Sequence, residues 1–180
     1  TAVTDVYAIG DCAEFTEPLP GRRSIEQVWY TGKFMGETLA HTITGNRAEY
    51  NPGYWFNSAK FFDIEYQTYG DVRSQLQEGE ARFVYEHPTE EVLLDFVFDE
   101  KTHRFIGVNN FGVRLRHLVF NEWLKKEVTI EEVLEDLRSA NFDPEFYSTY
   151  EPEIVEQFNS QFGTNITIAK RKWWQKLTSV

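Results

Sequence analysis

The stretch T-A-V-T-D-V-Y-A-I-G-D, residues 1–11, contains a short apolar run that ends on a glycine and an aspartate. Residues 6–9 have the length and composition of a buried strand. In open α/β sheets ligands bind beyond the carboxyl ends of strands, so Gly10 would let a ligand approach the backbone and Asp11 would accept from a sugar hydroxyl. Taken alone, the Gly-Asp pair is more often a simple turn, and the pattern that follows decides between the two interpretations.

A long helix is predicted over residues 24–45. Ser24 and Gln27 have the spacing of a capping box, and Gly45 supplies a left-handed stop. Between them, apolar and small residues recur at helical spacing, at Val28, Gly32, Met35, Gly36, Leu39 and Ile43. The helix either only covers a sheet or also uses its positive N-terminus to stabilise negative charge on a ligand.

The order of these features resembles the second FAD-binding motif of the FAD-dependent pyridine nucleotide-disulfide oxidoreductases, in their ferredoxin and nitrite reductase-like branch. After residues 1–11 come E-Q-V-W at residues 26–29 and P-G-Y-W-F at residues 52–56. The resemblance implies that Asp11 bonds the ribityl chain of FAD and that the helix start faces the pyrimidine edge of the flavin. The cofactor-binding residues it implies are Gly10, Asp11, Glu26, Gln27, Trp29 and Trp55.

Two positions depart from that branch of the family. Lys33 stands where glutamine or arginine is common, and Trp55-Phe56 replaces the more usual Phe-Trp order. These departures leave the electron acceptor open. The aromatic residues 54–56 are expected either to line the approach to the flavin or to form an apolar plug between two domains.

A domain boundary is predicted at Asn51-Pro52-Gly53, which divides the chain into residues 1–52 and residues 53–180. The first part is expected to be a strand, loop and helix remaining from an FAD-binding domain. The second resembles the C-terminal interface domain of the reductase family, an antiparallel sheet with helices packed on one side, so the fold class is α+β. Its predicted strands are residues 62–68, 82–86, 92–98 and 105–111, with a polar hairpin connection at 99–104 and helices at 113–126 and from Thr129 onward.

The composition limits the classes of function. The formal net charge of -11 disfavours nucleic-acid binding, and the single cysteine excludes an internal disulfide. No apolar run approaches the roughly 20 residues that span a bilayer, and a cytoplasmic location is expected. Because the sequence begins with Thr1 inside a motif and not with methionine, we expect it to be the C-terminal portion of a longer protein.

No catalytic residue and no metal site are predicted in this chain. Its four histidines have no ligand-like spacing, no serine lies in a nucleophile elbow, and no G-x-G-x-x-G fingerprint is present. We therefore expect the fragment to be inactive alone. The resemblance implies a parent enzyme that uses FAD and takes NAD(P)H through upstream residues, forms a homodimer through its C-terminal domain, and passes electrons to an acceptor such as a redox carrier protein.

A different class of function stays open at this point. The chain ends in a basic aromatic tail, K-R-K-W-W-Q-K at residues 170–176, on an otherwise acidic sequence. This tail either docks on its own domain or meets an acidic partner. The alternative hypothesis is accordingly a non-enzymatic α+β interaction module that binds through the tail and its aromatic surface.

Overall fold

The computed structural model describes residues 1–18 and 22–169, and the chain divides into two compact units, Thr1–Asn57 and Ser58–Val180. This division falls five residues beyond the predicted boundary at residue 52. The basic aromatic tail at residues 170–176 lies outside the described residues. Among the helices of the described ranges, none is both long and apolar enough to cross a bilayer.

The strand predicted at residues 6–9 is wrong. No strand forms there, and Val6, Tyr7 and Ile9 are exposed, with Val6 at 50%. A strand is stable only when a neighbour pairs with its backbone N–H and C=O groups. Within the described part of the first unit, no segment pairs with this one, so its apolar side chains do not become buried.

The first unit contains one long helix, α1 (Trp29–Ile43), which begins five residues later than predicted. The predicted capping box of Ser24 and Gln27 is wrong, since Val28 occupies the N-cap position with extended backbone and no side chain caps the helix. Instead, the Thr31 hydroxyl donates to the Glu26 carbonyl at 3.2 Å, and in a helix that began earlier this carbonyl would accept from the Tyr30 N–H. The predicted stop is confirmed, because α1 ends just before Gly45, whose φ is +91°.

The second unit is built on a five-stranded antiparallel sheet, whose strands are β1 (Phe56–Phe61), β2 (Ile64–Gly70), β3 (Glu80–Glu86), β4 (Leu93–Asp99) and β5 (Phe105–Phe111). Their order in the sheet is β1-β2-β5-β4-β3. Four strands lie where they were predicted, within two residues at each end, and the polar hairpin between β4 and β5 is confirmed. Strand β1 was missed because F-N-S-A-K-F has no regular alternation of apolar and polar residues.

One face of the sheet forms the core of this unit. The register aligns Phe83 with Phe96, Phe96 with Val108, and Val108 with Tyr69, and each of these side chains is at most 2% exposed. The helices are α2 (His117–Lys126), α3 (Ile130–Glu135) and α4 (Glu151–Phe162), with a short 3-10 helix at Leu137–Ala140. Helices α2 and α4 pack on this same face, since the ring of Phe120 stacks on Tyr69 at 4.7 Å and Phe158 meets Phe83 at 5.1 Å. The predicted α+β fold, with helices on one side of an antiparallel sheet, is confirmed.

Helix boundaries in the second unit follow local hydrogen bonds. Thr129 and Glu132 form the predicted capping box at the start of α3, and Ile130, Val133 and Leu134 are fully buried behind it. Helix α2 begins four residues later than predicted because the Leu115 backbone is held by a side chain of β2. Gln67 accepts from the Leu115 N–H at 2.7 Å and donates to its carbonyl at 3.2 Å.

Candidate functional site

The Gly-Asp pair lies in a β-turn that packs against α1. The turn is closed by a hydrogen bond of 3.0 Å from the Ala13 N–H to the Gly10 carbonyl, and Gly10 has a φ of +78°. The Gly10 N–H donates to the Met35 sulfur at 3.2 Å, and a Cβ at Gly32 would lie 3.7 Å from the Gly10 Cα. Asp11 is the second residue of this turn and is exposed, so its carboxylate is available to a ligand.

The start of α1 presents backbone donors. The first hydrogen bond of the helix runs from the Gly32 N–H to the Val28 carbonyl at 3.1 Å, so the N–H groups of residues 29–31 have no partner inside the helix. No side chain caps this end, and no acidic residue stands in the first turn. Such an end carries partial positive charge and suits a negatively charged or hydrogen-bond-accepting group.

Two of the predicted site residues lie exposed beside this helix start. Gln27 is exposed, and Trp29 is 69% exposed. The Trp29 ring meets Tyr30 edge-on at 5.2 Å, and the Lys33 ammonium lies 5.6 Å from its centroid. Both side chains are available to a ligand at this surface.

Glu26 is different, because its carboxylate is buried and already paired. The residue is 3% exposed, and Arg22 donates from Nε to one oxygen and from Nη2 to the other, each at 2.5 Å. Bidentate pairing of this kind is geometrically specific and occupies both carboxylate oxygens. Contact between Glu26 and a cofactor stays a prediction, and the structure gives this side chain a local partner.

Arg22 also contacts the predicted site residue Trp55. Its guanidinium carbon lies 5.1 Å from the centroid of the Trp55 ring, and Nη1 donates to the Gly53 carbonyl at 3.2 Å. The structure thus joins Glu26 and Trp55 through an arginine that the sequence analysis did not single out. The only signal was Arg and Glu four residues apart, a spacing common on ordinary helices, so nothing in the sequence marked this pair.

A cavity of about 520 Å³ adjoins this pair, lined in part by Arg22, Glu26, Phe15 and Tyr50. The rings of Phe15 and Tyr50 stack at 5.9 Å, and the Tyr50 hydroxyl is buried without a partner among the described residues. Burial raises the pKa of the Tyr50 hydroxyl, and the nearby Arg22 guanidinium opposes that rise. The hydroxyl is therefore neutral at physiological pH.

The arrangement can bind and orient a ligand through the exposed turn and the uncapped helix start. Cys12, beside Asp11 in the turn, is a free and exposed thiol. Within residues 1–18 and 22–169, no group of three or more His, Cys, Asp or Glu side chains is placed to hold a metal ion.

Comparison with known proteins gives relatives among sulfur reductases, and no family model matches the chain. The chain is 28% identical over 126 residues to a CoA-dependent NAD(P)H sulfur oxidoreductase of Pyrococcus abyssi, a match that covers 64% of this chain. It is 31% identical over 124 residues, or 62% of the chain, to an NAD(P)H coenzyme A polysulfide/persulfide reductase of Pyrococcus horikoshii. In both cases the match spans 28% of the relative's length.

Solved structures share the fold. A NAD-dependent persulfide reductase from A. fulgidus matches with a TM-score of 0.58 and 22% identity, covering 91% of this chain and 34% of the other. A FAD-dependent pyridine nucleotide-disulphide oxidoreductase from Desulfovibrio vulgaris matches with a TM-score of 0.54 and 20% identity, covering 72% of this chain and 34% of the other.

These comparisons confirm the family resemblance that the sequence motifs predicted. The chain matches the C-terminal portion of pyridine nucleotide-disulfide oxidoreductases. These proteins are named sulfur, persulfide and disulfide oxidoreductases, so the ferredoxin and nitrite reductase-like branch stays a prediction. The individual site residues likewise stay predictions.

Proposed function

We propose that this chain is the C-terminal part of a cytoplasmic, FAD-dependent NAD(P)H oxidoreductase, in which it completes the flavin site. The observation that carries the proposal is the exposed Asp11, held in a glycine turn against a helix whose first N–H groups are uncapped. The names of the relatives support it, since they are NAD(P)H-dependent oxidoreductases about three and a half times as long as the matched segment.

The residues present fit a flavin in two respects. Asp11 would accept a hydrogen bond from a hydroxyl of the ribityl chain, and the N–H groups of residues 29–31 would face an electron-rich edge of the ring. When bound, FAD would supply electron transfer between NAD(P)H and an acceptor. NAD(P)H would bind to residues upstream of this chain, and the chain itself contributes binding and electrostatic stabilisation without a catalytic side chain.

The remaining predicted residues divide by exposure. Gln27 and Trp29 would border the flavin site directly, because both are exposed beside the helix start. Glu26 and Trp55 would not border the flavin directly but would support the site through Arg22, which contacts both.

Gly10 would allow close approach of the ligand, because its positive φ and missing side chain leave the turn open.

The second unit would supply a surface for dimerisation or for a redox partner. On the sheet face opposite the helices, the rings of Phe61, Tyr66 and Phe111 stack in a row at 5.7 and 5.9 Å. Phe61 is 63% exposed and Phe111 is 39% exposed. Contiguous apolar surface of this kind is typical of interfaces, which supports a homodimer through this domain.

The first experiment is a visible absorption spectrum of the full-length gene product, before and after anaerobic addition of NADH or NADPH. We expect a yellow protein whose absorption bleaches on addition of the nucleotide. The nucleotide that bleaches it faster is the preferred electron donor. Asp11→Asn should lower flavin content, whereas Asp63→Asn, at an exposed position in the connection between β1 and β2, should not. A colourless wild-type protein would contradict the proposal and favour the non-enzymatic interaction module, whose basic tail lies outside the described residues.

A further inference from the structure

Arg22 is an unusual side chain because it is almost fully buried at the border of a solvent-facing site. Its side chain is 7% exposed, and that of its partner Glu26 is 1% exposed. Burying two charges is costly unless both are paired and their hydrogen-bonding capacity is used. The structure meets this condition, which identifies a built arrangement and not an incidental surface ion pair.

The contacts of Arg22 join two segments that are distant in sequence. Within its own segment it binds Glu26, which stands just before α1. In the second segment it donates to the Gly53 carbonyl and stacks over Trp55, some 30 residues further along the chain. The residues between Glu26 and the start of α1 are not helical, and the Thr31 hydroxyl joins the Glu26 carbonyl to the first turn of α1 at 3.2 Å, so the placement of Glu26 and that of the helix start are linked.

We infer that Arg22 is a positioning residue: through Glu26, Gly53 and Trp55 it fixes the orientation of the α1 start toward the flavin. The inference rests on the proposed function. Only a guanidinium can bind a carboxylate through two parallel donors while stacking on an indole, so lysine cannot replace it. The direction in which the N–H groups of residues 29–31 point depends on where the preceding segment lies. Their alignment with a bound group then sets how strongly they stabilise its negative charge.

The test compares Arg22→Met and Arg22→Lys with Arg23→Met in the full-length gene product. Arg23 is the adjacent arginine and is exposed, so it matches the change in charge without touching the buried pair. The Kd for FAD is expected to rise about tenfold in Arg22→Met, and Arg22→Lys should restore little of it. Arg23→Met should bind FAD as the wild type does.

The properties of the flavin that each variant retains distinguish a positioning role of Arg22 from a purely structural one. If Arg22 orients the helix start, the flavin retained by Arg22→Met should have a more negative reduction potential and a shifted absorption maximum, because negative charge on the flavin is less well stabilised. In the flavin-free protein, the amides of residues 26–31 and 53–55 should exchange hydrogen about tenfold faster than in Arg23→Met. If Arg22→Met does not fold, Glu26→Gln carries the same comparison, since it keeps the side-chain shape and removes the charge.

The outcomes separate the two proposals. A yellow wild type, together with an Arg22→Met protein of unchanged potential, spectrum and amide exchange, would overturn the role of Arg22 alone. A potential that stays at the wild-type value while stability falls would also overturn it, because Arg22 would then be a structural residue only. A colourless wild type would overturn the proposed function and, with it, any role of Arg22 toward a flavin.

Discussion

The Tyr85 hydroxyl at the end of β3 donates a 2.7 Å hydrogen bond to the Glu153 carboxylate in the first turn of α4. The same carboxylate oxygen lies 3.6 Å from Nε2 of His87. Nδ1 of His87 accepts from the backbone N–H of Glu90 at 2.9 Å, and Nε2 is the ring nitrogen that faces Glu153. One carboxylate therefore connects α4 to β3 and to the turn that follows it.

Removal of the Tyr85 hydroxyl should destabilise this junction. Tyr85→Phe keeps the buried ring, which is 3% exposed, and removes one charge-assisted hydrogen bond. The free energy of unfolding should fall by about 1–2 kcal/mol, measured by urea denaturation followed by circular dichroism. Tyr147→Phe, at a half-exposed position, is the matched control and should change it by less than about 0.5 kcal/mol.

The same residue predicts a pH dependence at the alkaline end. Burial, then the hydrogen bond to Glu153, raises the pKa of the Tyr85 hydroxyl above its ordinary value of 10.0. Tyr85 then holds its proton more firmly in the folded state than in the unfolded state. Its contribution to the free energy of unfolding is therefore complete below pH 10 and is lost as the pH rises beyond 10. Stability measured from pH 9 to 11 should decline less steeply in Tyr85→Phe than in the wild type, and equal slopes would contradict the assignment.

The fold of the second unit was predictable because its signals are local. Alternating side chains marked β2, β-rich composition marked β3 to β5, and the Thr129-x-x-Glu132 spacing marked the start of α3. The strand expected at residues 6–9 failed because strand formation requires a partner that local sequence does not specify. The predicted start of α1 at Ser24 was wrong because the Thr31 hydroxyl occupies the Glu26 carbonyl, a bond that the capping-box spacing does not indicate.

The candidate site was predictable only to the level of its motif. The Gly10-Asp11 turn and the helix that follows it were located from sequence, and the structure places the turn against α1 through Met35. Burial of Glu26 was not predictable, because an exposed and a buried Arg-Glu pair have the same spacing. Whether such a pair is buried depends on tertiary packing, here around Tyr50 and Trp55.

Two glycines with similar backbone conformation should respond differently to alanine. Gly70 and Gly79 have φ values of +75° and +83°, so alanine is strained at both. At Gly70 a Cβ would also lie 2.1 Å from the Ile106 carbonyl oxygen, whereas at Gly79 no atom lies within 4 Å. Gly79→Ala should cost about 1–2 kcal/mol and Gly70→Ala at least about 3 kcal/mol, measured by thermal unfolding. Equal losses would show that the sheet backbone near Ile106 yields to the methyl group.

The two capping boxes considered in the sequence analysis give a paired prediction. Thr129 accepts from the Glu132 N–H, so Thr129→Ala should destabilise the second unit by about 1 kcal/mol. Ser24 does not cap α1, which starts at Trp29, so Ser24→Ala should leave stability unchanged within about 0.5 kcal/mol. Both are measured by chemical denaturation under the same conditions. If Ser24→Ala lowered the free energy of unfolding as much as Thr129→Ala does, that result would support the helix start that the sequence predicted at Ser24.

The connection between β1 and β2 holds a phenylalanine in an unfavourable conformation. Phe62 has a φ of +53° and is 98% exposed, so its ring gains nothing from burial that would offset the backbone strain. Asparagine tolerates this conformation better, and Phe62→Asn should raise the free energy of unfolding by about 0.5–1 kcal/mol. Phe146→Asn, at a residue that is 83% exposed and has no positive φ, is the control and should bring no such gain.

A strained and exposed aromatic residue is more often retained for binding than for stability. If Phe62 belongs to the interface we propose for this domain, Phe62→Asn should shift the full-length protein toward the monomer in light scattering at micromolar concentration, while Phe146→Asn should not. A variant that is more stable, with its oligomeric state unchanged, would place the interface elsewhere on the second unit. A variant that is less stable than the wild type would mean that the Phe62 ring makes contacts in the folded protein.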